Sequence, residues 1–382
     1  MAAKSAACYH SRLFRSSFTI ELRSSVKVMN ESLVKLGFVP FFAQQLSDLS
    51  VLESRLGRVI SVQRSVIGVA CGDQMRRVAL SINLQQAEPI HRPTVGDWVV
   101  LDEARVRIDQ VLERKTLFKR IGSGNTTQFQ PIAANIDVLF VVTSCNDEFK
   151  ESRLERYLAL CDEAGAIPVI ILTKIDLTDD LNSYIKRARS VQSGVAVECV
   201  NTLDPSTLDG VKGWIEASST VALVGSSGVG KSTLLNALVE RPLAATGAIR
   251  EDDKKGRHTT THRELYLLPS GGLIIDVPGM RELRIADVDD ALGHVFGDIE
   301  KLSKRCKFID CKHTNEPGCA VLAAVEDGQL SERRLNSFHK LLLENEFASA
   351  SLAEKRAKDR SFGKMVKGAK RHKEKTGRRG AP

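Results

Sequence analysis

Val221-Ala222-Leu223-Val224, followed at once by Gly225-Ser226-Ser227-Gly228-Val229-Gly230-Lys231-Ser232-Thr233, joins a short apolar strand to a glycine-rich loop and the opening of a helix. The loop matches G-x-x-x-x-G-K-[ST] in the strand, loop and helix setting that gives the pattern its meaning. Its glycines let the backbone curl until successive N–H groups face one point, and the following helix adds the positive end of its dipole. Such a cradle suits the phosphates of a nucleotide: Lys231 reaches the β and γ phosphates, and the Ser232 hydroxyl ligates Mg²⁺. A chance match somewhere in 382 residues has odds of about one in a hundred before strand and helix are required, so coincidence is a poor explanation.

On either side, apolar runs at residues 136–143, 167–172, 195–200 and 273–275 alternate with helical patterns at 153–164, 181–192 and 231–238. Strands alternating with helices indicate βαβ units and a mainly parallel sheet. Two further motifs sit where strands end. Asp276-Val277-Pro278-Gly279 follows the run 273–275, so Asp276 is placed to hold Mg²⁺ and the Gly279 amide to sense the γ phosphate. Alone, such a segment reads as a turn. Thr173-Lys174-Ile175-Asp176 follows the run 167–172. A carboxylate at Asp176 accepts hydrogen bonds from guanine N1–H and the exocyclic amine, which adenine does not offer in that arrangement, while the stem of Lys174 can cover the base. Alone, this segment could cap a helix; beside a phosphate loop it makes the nucleotide GTP. The rival reading, an ATP-driven motor or kinase, is opposed by Asp176.

The guanine-reading motif ordinarily follows the phosphate loop, yet here it comes first. A circular permutation accounts for this, because a parallel sheet needs its strands in place spatially while the termini can move to any exposed loop.

The rest of the chain divides by texture. Residues 1–54 form an extension and lead-in, 55–125 a small β-rich domain, 130–290 the α/β domain, 291–350 a helical region and 351–382 a basic tail. The β-rich runs 58–62, 66–70 and 78–82, with the Val95-Gly96-Asp97-Trp98 turn, fit an OB-type barrel, although several small β-folds share the pattern; residues 105–120 make one side basic. Residues 1–28 resemble a transit peptide in charge, but Met29 is a second plausible start, so an over-long start or a dispensable extension fits equally. No apolar run approaches the roughly 18 residues of a membrane span. With 42% hydrophobic residues the chain can bury a sizeable core, and a net charge of +8 favours a polyanionic partner, RNA or an anionic membrane surface. The block 355–379, nearly all of its charges positive, reads either as a solvated tail or as an arm for rRNA.

Three of the eight cysteines crowd into one segment. Cys306-x₄-Cys311-x-His313-x₅-Cys319 supplies three thiolates and an imidazole, the closed set for a structural Zn²⁺ in a reducing compartment; reduced core cysteines are the alternative.

Taken together, the VGDWV run, Ala134-Asn135-Ile136-Asp137, TKID, GSSGVGKST, GRHTTTHREL, DVPGMREL and the Cys/His cluster resemble the ribosome small-subunit-dependent GTPase A family of circularly permuted GTPases. The resemblance covers about residues 30–370. It implies an N-terminal OB-type β-barrel, a central permuted α/β P-loop GTPase domain and a C-terminal helical zinc-binding domain. It also implies a cytoplasmic protein that binds GTP and GDP, the small ribosomal subunit and its rRNA, assists late maturation of that subunit and needs no membrane; a monomer is expected. Residues 1–28 match nothing in the family, and Val200-Asn201-Thr202 departs from its usual Ser-Ala base-contacting loop.

Hydrolysis needs a group that orients water. Met280, just after Gly279, stands where many GTPases place Gln, and a thioether cannot do that work. His258, in Gly256-Arg257-His258-Thr259-Thr260-Thr261, is the candidate, and the resemblance points to the same residue; Thr259 or Thr260 would close on Mg²⁺. A loop histidine that only touches RNA is the alternative for His258, and a GTP-regulated RNA-binding protein with little hydrolysis is the alternative for the whole chain. Unassisted turnover at such sites can be as slow as about 10⁻⁴ s⁻¹. His258→Ala is expected to lower turnover while GTP affinity stays near normal, and an unchanged subunit-stimulated kcat would remove His258 from the reaction.

Overall fold

The computed structural model describes residues 30–49, 52–63, 66–122, 128–240, 264–276 and 288–349. Two helices lead in, α1 (Glu31–Lys35) and α2 (Pro40–Leu49). Asn30 caps α1 by accepting the Ser32 N–H at 3.0 Å. Phe38 and Phe42 pack on the buried Trp98, with the Phe38 ring edge-on at 4.9 Å, so this lead-in covers one end of the β-domain.

That domain comprises β1 (Leu56–Val62), β2 (Ile67–Cys71), β3 (Gln74–Leu80), a short α3 (Ile82–Gln86), β4 (Trp98–Leu101) and β5 (Arg107–Val111). The strands run in the order β1-β2-β3-β5-β4 and β4 returns to β1, which closes the barrel. Only β3 and β5 are parallel. This closed five-stranded pattern is the OB type. The run expected at 78–82 is the second half of β3; Ser81 turns the chain and Ile82 starts α3. The basic stretch 105–120 also holds β5 and the start of a ribbon made by β6 (Leu117–Ile121) and β7 (Phe129–Ala134). Part of its charge is structural, since Arg114 donates to both oxygens of the fully buried Asp97 at 2.8 and 2.9 Å.

The α/β domain follows as β8 (Val138–Ser144), α4 (Glu151–Ala164), β9 (Ile167–Thr173), α5 (Leu181–Arg189), β10 (Ala196–Val200), α6 (Asp209–Lys212), β11 (Thr220–Val224), α7 (Lys231–Val239), β12 (Glu264–Leu267) and β13 (Leu273–Asp276). Strands β10-β9-β8-β11-β13 are parallel and β12 lies antiparallel on β13. Strand β11, which feeds the glycine loop, thus lies between β8 from before it in the chain and β13 from after it. All seven residues of β8 are buried, as expected for a central strand covered on both faces. Side chains alternate: Leu139, Val141, Ala222 and Val224 face α4, while Phe140, Val142, Val221 and Leu223 face α7. Strand β12 was not read from sequence.

Barrel and α/β domain share one sheet, because Ser61 of β1 pairs with Glu264 of β12. Arg58, 1% exposed, pins the junction. It donates to the carbonyl oxygens of Leu36, Gly96 and Asn135 and to Thr220 Oγ1, the last at 2.8 Å. Burial pulls its pKa down to about 10 while Asp137 and Asp97 hold it up, so it stays charged at neutral pH. Gly96 has φ 90°, and a Cβ there would fall 2.1 Å from the Ala134 carbonyl oxygen; the VGDW turn and the Ala134-Asn135 segment meet at this point.

The chain ends, among the described residues, in α8 (Asp289–Val295), α9 (Gly297–Ser303), α10 (Ala320–Glu326) and α11 (Glu332–Ser349). Among the described residues, helix α4 carries much of their contact with the α/β domain. Its buried Glu155 accepts from Arg333 at 3.0 and 3.2 Å and from Arg334 at 2.8 Å; Arg334 also donates to Asp298 at 2.8 and 2.9 Å. Among the described residues, no helix is long and apolar enough to cross a membrane.

Candidate nucleotide site and metal centre

The glycine loop leaves β11 at Gly225, whose φ of 154° brings it so close to β8 that a Cβ would lie 2.2 Å from the Val142 carbonyl oxygen. Gly228 and Gly230 have φ 77° and 92°, conformations glycine adopts without strain. Val229 is buried and anchors the loop, whereas Ser227, Gly228 and Ser232 are exposed at its mouth. Lys231 and Ser232 open α7, with Thr233 next, and the Lys231 ammonium donates to the Ser226 carbonyl oxygen.

Thr173, last residue of β9 and first of the second motif, joins that motif to the loop. Its hydroxyl lies 2.6 Å from the Val229 carbonyl oxygen and 3.1 Å from that of Thr143, and its one proton serves the nearer. Gly230 packs beside Thr173 with room for a Cβ, 3.5 Å from Thr173 Oγ1, so it is the φ of 92° rather than space that favours glycine here. Lys174 then takes a left-handed turn, φ 55°, into a single helical turn, Ile175–Leu177, that exposes Asp176. The neighbouring strand ends in register, Val200 beside Thr173, and Asn201 closes the following turn by accepting the Leu203 N–H and donating its own N–H to the Thr207 hydroxyl.

Asp276 ends β13 with its carboxylate solvent-accessible. The bulk of protein around it raises its pKa, Lys231 opposes this, and Glu264, directly opposite on β12, adds to it. A divalent cation would relieve that crowding, and Ser232 and Asp276 offer the hard oxygen donors that suit Mg²⁺. Gly279, His258, Thr259 and Thr260 lie outside the described residues, as do the N-terminal extension and the basic tail.

Cys306, Cys311, His313 and Cys319 come together, with their ligand atoms all within 4.8 Å of one another. Cys306 Sγ is 3.9 Å from Cys319 Sγ and 3.6 Å from His313 Nδ1, which is 3.4 Å from Cys319 Sγ. A tetrahedral ion bound at zinc distances would set sulfur–sulfur edges of about 3.8 Å and sulfur–nitrogen edges of about 3.5 Å, so the cluster can hold such a metal. Sequence reasoning missed Glu316. Its carboxylate accepts the N–H groups of Thr314, Lys312 and Asn315 at 2.8, 3.0 and 3.1 Å, which holds its pKa down to about 2 and folds the ligand loop. An acid three residues beyond a ligand histidine was the available signal.

A parallel sheet carrying a phosphate loop, with a guanine-type motif drawn against it from earlier in the chain, defines a circularly permuted GTPase. Comparison agrees: residues 111–286 match the model of the RsgA GTPase family. The small ribosomal subunit biogenesis GTPase RsgA 2 of Vibrio parahaemolyticus is 45% identical over 335 residues, covering 88% of this chain and 92% of the relative. The RsgA protein of Mesorhizobium japonicum is 42% identical over 330 residues, covering 85% and 93%. Among solved structures, YjeQ from Thermotoga maritima superposes with a TM-score of 0.56 at 25% identity, over 75% of this chain and 98% of that one. YloQ, described as a circularly permuted GTPase, superposes at 0.53 with 27% identity, over 76% and 94%. The chain belongs to the RsgA GTPase family and is a GTP hydrolase.

Thr173→Val keeps the shape of the side chain but strands the Val229 carbonyl. It is expected to cost about 1–2 kcal/mol of stability and to weaken GDP binding, checked by denaturant unfolding and equilibrium titration; wild-type values in both would show the bond to be unimportant.

Proposed function

We propose that this chain binds the small ribosomal subunit, assists its late maturation and hydrolyses GTP in response to it. The observation that carries the nucleotide part is the Thr173 hydroxyl bond to Val229, which draws the guanine motif against the phosphate loop. Asp176 then reads guanine, with Thr173 and Lys174 framing it. The backbone of Gly225, Ser226, Ser227, Gly228, Val229 and Gly230, with Lys231 and Thr233, holds the phosphates. Ser232, Asp276 and Thr260 hold Mg²⁺, which when bound neutralises charge developing between the β and γ phosphates. Gly279 senses the γ phosphate, and His258 orients water. The partner follows from the relatives' names together with the +8 net charge, which suits rRNA. The barrel and the tail 351–382 supply the RNA contacts, the chain acts as a cytoplasmic monomer, and the domain bounds are those read from sequence.

GTP turnover measured alone, with small subunits and with large subunits is expected to rise by orders of magnitude with small subunits only, and to lose that rise as salt increases. Equal rates in all three would overturn the ribosomal reading, and salt-independent stimulation would overturn its electrostatic basis.

The metal in the Cys306, Cys311, His313 and Cys319 site is structural zinc, since four protein donors leave no open position. Purified protein is expected to carry one zinc per chain, and Glu316→Ala to release it at about tenfold lower chelator concentration. Metal-free protein with the C-terminal helices fully protected from hydrogen exchange would contradict this.

A further inference from the structure

Arg153 stands in the first turn of α4, far in sequence from the glycine loop, yet its Nη1 donates to the Ser226 hydroxyl. The same nitrogen donates to the Glu148 carboxylate at 3.1 Å and approaches the Glu148 carbonyl oxygen at 3.4 Å. The side chain is 32% exposed, so the contact is a partly solvated, charge-assisted hydrogen bond. Ser226 is therefore held twice, by Arg153 at its hydroxyl and by Lys231 at its carbonyl oxygen.

These two grips differ in kind. Lys231 belongs to the loop's own helix and is the cation that must turn to the phosphates. Arg153 belongs to a helix fixed from several sides. Glu151 of α4 accepts from Arg187 of α5 at 2.7 Å, and Glu155 is clamped by Arg333 and Arg334. Arg156 forms a two-bond pair with Glu344 of α11, and Asp162 meets His294 of α8 at 2.7 Å. The helix is thus held from several sides, and Arg153 ties the loop to it through Ser226.

We propose that Arg153 is a positioning residue for the GTPase reaction: it holds Ser226, and with it the entrance of the phosphate loop, in the binding shape when Lys231 leaves the Ser226 carbonyl for the phosphates. This rests on the nucleotide reading above. Arg153 touches no reacting atom, so its removal disturbs binding more than the chemical step, and it leaves guanine recognition at Asp176 alone.

The test is equilibrium binding of GDP and GTP, with intrinsic single-turnover hydrolysis, for the wild type, Arg153→Ala, Arg153→Lys, Ser226→Ala and the double alanine variant. Arg153→Ala and Ser226→Ala are each expected to weaken both nucleotides about tenfold, at unchanged unfolding midpoint and unchanged preference over adenine nucleotides. The double variant is expected to be no worse than either single, because one interaction is shared. Arg153→Lys should restore part of the loss, and the single-turnover rate of Arg153→Ala at saturating GTP should fall less than its affinity does. Nucleotide affinity of Arg153→Ala within about twofold of wild type, or losses that add fully in the double variant, would overturn the proposal. A wild type that binds no GDP would instead overturn the nucleotide reading, so the two failures are distinct.

Discussion

One hydrogen bond, from the Thr173 hydroxyl to the Val229 carbonyl, carries the constraint on which the nucleotide site depends. The two motifs it joins lie 56 residues apart and on adjoining loops at one edge of a parallel sheet. Strand β11 has neighbours from both directions of the chain, so the order in which the strands are encoded is immaterial once the sheet is assembled. What cannot vary is register: Val224 must end beside Val141, and Thr173 beside Ser144, for the loops to meet. A shift of one residue would turn Phe140 and Val142 to the wrong face, so hydrophobic burial enforces the alignment that the loops require.

What sequence alone revealed follows a physical pattern. The phosphate loop, the Thr173–Asp176 motif, Asp276 and the Cys/His cluster were legible because their chemistry demands particular residues at fixed short spacings. The long, wholly buried strands were legible from their apolar runs. The residues that stayed hidden act through partners far away. Arg153 meets Ser226 across 73 residues, and Glu155 meets Arg334 across 179, with nothing local to mark either pair. Arg58 sits in an ordinary strand pattern that gives no sign of its burial. Strand β12 has four residues, too few to show a pattern of their own, and the ribbon β6–β7 lies in a stretch dominated by basic residues.

Helix α4 shows how a polar contact between domains can be both buried and stable. Glu155, fully inaccessible, would be costly as a lone charge, but it takes hydrogen bonds from two arginines, and Arg334 spends its remaining donors on Asp298 and on the carbonyls of Val191 and Val295. Such a network adds little net stability over an apolar contact, yet it tolerates only one relative placement of its partners. The phosphate loop and the C-terminal helices are thereby referred to the same rigid element.

Among the described residues, the seam between barrel and α/β domain holds the registered pair of Ser61 with Glu264, the four bonds of Arg58, the bridge of Val95 with Ala133 and the bond from Asn135 Nδ2 to the Gly96 carbonyl oxygen. With backbone pairing at two places, the joint is braced against both sliding and turning, and the buried Arg58 ties its two sides together. A tug on the barrel, acting as a lever arm, would be shared among these contacts, and the guanidinium would pass its part to Thr220, the residue from which the strand supporting the glycine loop departs.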